Sequence, residues 1–64
     1  MFKPGDRVVV KPEWKDNPKS NLVYEVCEWN TNRGFMYPVN WMEMGFAFPP
    51  MELVREQMIE LAAK

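Results

Sequence analysis

Residues 34–51, GFMYPVNWMEMGFAFPPM, carry one charge, Glu43, and hold five of the chain's nine aromatic residues and four of its six methionines. A chain of 64 residues makes one domain. Its size lets it bury only about 60% of the surface that its unfolded form exposes. Such a core needs either a high apolar content per residue or a covalent staple. Cys27 is the only cysteine, so no internal disulfide can form, and the burden falls on a composition that is 47% hydrophobic and 14% aromatic. The apolar stretch is therefore expected to be mostly core, with the surplus left as a contact surface.

The rest of the chain is punctuated for short strands. In the lead-in Phe2–Asp6, Pro4 presets φ and Gly5 permits a positive φ, so the chain can bend. Arg7–Lys11 (RVVVK) predicts a strand with Val8 and Val10 on one face. Pro12–Asn21 is loop, broken by two prolines and carrying Trp14. Leu22–Trp29 (LVYEVCEW) predicts the best strand, with Tyr24 and Val26 pointing inward and Val23, Cys27 and Trp29 on the other face. Asn30–Gly34 reads as a turn of several residues closing a hairpin onto Phe35–Val39, where Pro38 suggests an edge position. Phe46–Phe48 predicts a further short strand, and Phe35, Tyr37, Phe46 and Phe48 alternate as core residues should.

Beyond Pro49-Pro50, the residues Met51, Val54, Met58 and Leu61 recur at helical spacing, so the chain is expected to end in an α-helix. That helix begins either at Pro50 or, after a tight turn and a short strand at Leu53-Val54, at residue 55, and runs to about residue 63.

The sequence FKPGDRVVV (Phe2–Val10), then YEV (Tyr24–Val26), then GFAFPPMELV (Gly45–Val54) resembles the SH3-like small barrel, in particular the short stand-alone versions among phage and prophage proteins. The resemblance implies a mainly β fold: a barrel of about five short antiparallel strands over residues 2–54, capped by a C-terminal α-helix. No glycine falls between Gly5 and Gly34, and Pro12-Glu13-Trp14 follows the first strand, unlike ribosome-type KOW barrels. The strand typical of peptide-binding SH3 domains is also missing. The resemblance thus implies fold and carries no function.

Catalytic chemistry finds little support. There is no histidine to act as a base near neutral pH. Cys27 lies mid-strand with no cationic neighbour to activate it, and one cysteine cannot build a zinc site. Glu25 and Glu28, an odd number apart, are expected on opposite faces of their strand. The three glycines are too dispersed for a phosphate loop. The expectation is a non-enzyme without metal or cofactor.

The leading function is a protein-interaction module, with a phage-encoded binder of a host protein as one form of it. Trp14, Trp41, Met42 and Met44 are the contact residues, because Trp and Met are enriched at interfaces. The alternative is a small nucleic-acid binder. It would use the basic N-terminal half, with Lys11, Lys15 and Lys19 meeting phosphate, Trp14 stacking on a base, and Lys3 and Arg7 in support. The overall net charge of −1 weakens that alternative. A third possibility is a homo-oligomer through the helical face of Met51, Val54, Met58 and Leu61. The longest uncharged run, Gly34–Met42, is far short of the roughly 20 apolar residues needed to span a bilayer. The N-terminus also carries charges where a secretory signal would be apolar. A cytoplasmic protein with no membrane partner is expected.

Overall fold

A computed structural model describes residues 2–17, 19 and 21–62. Among them the chain is mainly β. Five antiparallel strands, β1 (Arg7–Val10), β2 (Tyr24–Asn30), β3 (Arg33–Pro38), β4 (Glu52–Arg55) and β5 (Ile59–Leu61), form one sheet in the order β4-β3-β2-β1-β5. The sheet is unclosed, since β4 and β5 occupy opposite edges and do not pair. The closed barrel is thus corrected to an open sheet.

The C-terminal α-helix expected at 55–63 is not formed. The segment makes β4, one 3₁₀ turn at Glu56–Met58, and β5. An isolated helix of this length is marginal in water. As strands, the same residues gain backbone pairing with β3 on one side and β1 on the other. The apolar stripe dissolves accordingly: Val54 is buried, Met58 half-buried, and Met51 and Leu61 exposed. With the helix goes the helical face that was expected to drive self-association.

Val8, Val26, Met36, Val54 and Ile59, one from each strand, make the hydrophobic core. Phe2, Val10, Tyr24, Trp29 and Met58 pack around it half-buried. The lead-in is a turn in which Asp6 N–H donates to the Lys3 carbonyl at 3.1 Å, with Pro4 and Gly5 at its centre.

A β-bulge decides which residues face inward. β2 and β3 pair Val26 with Met36 and then Glu28 with Phe35, leaving Cys27 without a register partner. The extra residue reverses the alternation. Trp29 therefore lies opposite Gly34 on the core side, and Glu25 and Glu28 share the outer face with Tyr37 and Phe35. This overturns three expectations: Trp29 is not on the face away from the core, Glu25 and Glu28 are not on opposite faces, and Phe35 is not core.

Pro38 belongs to an interior strand, not an edge. Val39 N–H donates to the Val23 carbonyl at 3.0 Å. Alternation then makes Tyr24–Pro38 a non-hydrogen-bonded pair. The Pro38 nitrogen points toward β4, whose pairing has already ended at Met36. The hairpin turn is two residues, Thr31 and Asn32. Thr31, rather than one of the asparagines, takes the positive φ of 60°. Its carbonyl accepts a 3.1 Å bond from the Trp29 indole.

On the outer face the Tyr37 hydroxyl donates to Glu25 Oε2 at 3.2 Å, and Arg7 Nη2 lies 3.9 Å from Glu25 Oε1. Burial, and then the Glu25 charge, push the Tyr37 phenol above its ordinary value; burial and Glu52 do the same to Tyr24. The folded chain thus holds these protons more tightly than the unfolded chain does. The associated stability is complete below about pH 10 and is lost as pH rises through the folded values. A Tyr24→Phe/Tyr37→Phe variant should show a higher midpoint of alkaline unfolding by circular dichroism than the parent protein. An unchanged or lower midpoint would contradict this linkage.

No helix among the described residues is long and apolar enough to cross a membrane.

Candidate functional site

The largest surplus of exposed apolar surface lies in the connection between β3 and β4, residues 39–51. Its fold follows from one glycine. Gly45, at φ +92°, closes a single helical turn: Gly45 N–H donates to the Met42 carbonyl at 3.1 Å, and Phe46 N–H to the Trp41 carbonyl at 3.3 Å. This 5→2 and 6→1 pair is the Schellman pattern, which needs a residue in the left-handed region at that position. Met44 N–H adds a 3.2 Å bond to the Asn40 carbonyl, and Trp41 N–H one of 3.2 Å to Pro38. Pro49 and Pro50 stiffen the return to β4.

The turn rotates its side chains outward. Met42 and Phe48 are 72% and 75% exposed, and Met44, Phe46 and Met51 are also exposed, while Trp41 is half-buried. The expected strand at Phe46–Phe48 is not formed, and neither phenylalanine is core. Tyr37 is only half-buried on the outer face. The reason is room: five medium-sized side chains fill the interior of a sheet this short, and the ring-bearing residues are displaced from it. Within the connection, Asn40 Oδ1 is buried and has no hydrogen-bond partner, a feature that typically costs about 1–3 kcal/mol.

Of the four expected contact residues, Trp41, Met42 and Met44 sit in this one turn. Trp14 is elsewhere. It ends the short 3₁₀ turn Pro12–Trp14 on the β1–β2 connection and lines a hollow of about 460 Å³ with Val10, Leu22, Tyr24, Leu53 and Met58. Trp14 is exposed, and the buried Met36 and Val54 line the same hollow. Lys15 lines the same hollow, whereas Lys11 lines a different one with Asn32, Arg33, Arg55, Glu56 and Gln57. Lys19 is exposed, and its amide donates to Asn17 Oδ1 at 3.1 Å. The four residues of the nucleic-acid alternative thus do not converge on one site. Lys3 lies in the lead-in turn, its amide bonded to Asp6 Oδ2 at 3.1 Å.

Sequence reasoning missed Phe46, Phe48 and Met51 as surface residues. The signal was available: a glycine followed by an aromatic residue can mark a Schellman end as well as a strand start.

The described residues bring together no group of three His, Cys, Asp or Glu suited to a metal ion. Comparison with known protein families, curated proteins and solved structures gives no match.

Proposed function

We propose that this chain is a non-catalytic protein-interaction module that presents the β3–β4 connection to a protein partner. The observation that carries the reading is the rigid outward display of Met42, Met44, Phe46, Phe48 and Met51 on a segment whose only charge is Glu43. Monomeric proteins rarely keep large contiguous apolar patches exposed. The turn's internal hydrogen bonds and flanking prolines mean that little backbone freedom is lost on binding. Flexible methionines beside rigid aromatic rings suit an irregular partner surface. We assign the module to the cytoplasm as part of the same reading, because the free Cys27 thiol suits a reducing compartment.

Photo-crosslinking tests it. A benzophenone side chain at residue 48 should capture a discrete adduct in lysate of cells that make the protein, while one at the exposed Glu60 should not. Excess unlabelled protein should compete the adduct away. A Met42→Ser/Phe48→Ser competitor should be about ten-fold weaker or worse, as expected for lost hot-spot residues. Equal labelling at both positions, or an undiminished double variant, would refute the proposal.

A further inference from the structure

The opposite end of the β3–β4 hairpin carries a different surface. Pairing puts Arg33 directly across from Arg55, and Phe35 directly across from Leu53. Gly34, Met36 and Val54 point into the core, so these four side chains share the outer face, and all four are exposed. Two neighbouring rungs, about 6.8 Å apart along the strand, are therefore dicationic and apolar respectively. β2 widens each by one residue, placing Asn30 beside Arg33 and Glu28 beside Phe35.

Like charges directly opposite on adjacent strands are destabilising. Here two arginines are so placed, and Lys11 joins them in a hollow of about 470 Å³ completed by Asn32, Glu56 and Gln57. Its three chain segments are tied together by the backbone. Glu56 N–H donates to the Asn32 carbonyl at 2.8 Å, and Lys11 N–H to the Met58 carbonyl at 2.9 Å. Among the described residues Lys11, Arg33 and Arg55 have no salt-bridge partner. Arg33 also lines a second hollow, of about 560 Å³, with Pro4, Trp29, Phe35 and Leu53. Two carboxylates border the pair, Glu56 on the cationic side and Glu28 beside Phe35. Three cations against two acids leave the site positive on a chain whose net charge is −1.

We propose that this surface binds a nucleotide: the phosphate between Arg33, Arg55 and Lys11, and the base against Phe35 and Leu53. Paired guanidinium groups match the fork geometry of phosphate oxygens. The exposed Phe35 ring one rung away suits base stacking, which tolerates any base. Neither feature calls for the other on folding grounds, and their adjacency matches the two ends of one ligand. The nucleotide can be free or part of a single strand; both offer the same phosphate and base.

Backbone-amide NMR of the 64-residue chain tests this at low salt with four probes: inorganic phosphate, adenosine, AMP and a six-residue oligoadenylate. AMP should shift the amides of Arg33, Phe35 and Arg55 and bind at least ten-fold tighter than phosphate or adenosine. Tighter binding of the oligonucleotide than of AMP would identify a strand as the source, and equal binding a free nucleotide. Phe35→Ser should weaken AMP about ten-fold and leave phosphate unchanged. Arg55→Glu should abolish binding while raising the melting temperature by roughly 2–6 °C, because it replaces a repulsive cross-strand pair with an attractive one. The proposal is overturned if AMP binds no tighter than phosphate, if the shifts map elsewhere, or if Arg55→Glu binds as the parent does.

Discussion

Replacing Gly34 by alanine lowers the stability of the domain by about 3 kcal/mol, the upper part of the usual overpacking range. A β-carbon on Gly34 would collide with the main-chain carbonyl of Glu28 and come within 2.5 Å of Trp29 Cε3. The carbonyl cannot yield without moving β2 at its bulge. The indole cannot yield without losing its 3.1 Å bond to Thr31 and its edge contact with Phe2, whose ring centre is 5.1 Å away. A domain of this size is worth roughly 0.05–0.15 kcal/mol per residue, so the change removes a large part of the total. Thermal denaturation followed by circular dichroism should show a fall of about 12–24 °C. The same substitution often stabilises proteins, by restricting the unfolded chain, where the native site has room. A loss under about 1 kcal/mol would mean that the indole does not lie over Gly34 as described.

The second large effect is a contrast. Ile59→Ala should cost about 2–5 kcal/mol, and Phe48→Ala should fall within about 0.5 kcal/mol of the parent protein. Ile59 is 2% exposed in a strand of only three residues and belongs to the core cluster with Val8, Val26, Met36 and Val54. Phe48 is larger but 75% exposed. Size read from the sequence ranks these two the wrong way round. Urea denaturation of both variants decides it: comparable losses would mean that the phenylalanine is packed and that the outward display of the β3–β4 connection is wrong.

The sequence was most legible where β-branched residues alternate. Val26 points inward as expected, Val8 and Val10 share the core side of β1 as expected of one face, and the Pro4-Gly5 bend lies where it was expected. It was least legible where alternation is broken by something that letters do not display. The bulge at Cys27 exchanged the faces of Trp29 and Glu28, and Phe35, opposite Glu28, lies on the outer face with it. The 3₁₀ turn at Glu56–Met58 falls between two β-branched core residues, Val54 and Ile59. The periodicity that suggested a helix ran instead through Met51, Val54, Met58 and Leu61, of which only Val54 is buried. Local spacing cannot see that β1 and β3 each have a vacant edge for these residues to pair with. Of the candidate site, Met42 and Met44 were legible as surplus, since they sit off any clean period. The cationic rung was not, because Arg33 and Arg55 lie far apart in the chain and meet only through strand register.

The looped-out position at Cys27 acts as a frame marker for everything β2 carries after it. One residue more or fewer there would leave the hairpin's outline intact but turn it inside out beyond that point. The indole would then be offered to water, and a carboxylate would be driven into oil. Chain length at this one place therefore governs surface identity more strictly than side-chain chemistry does. Substitutions nearby can be absorbed singly, whereas a deletion rewrites the whole far end of the domain at once.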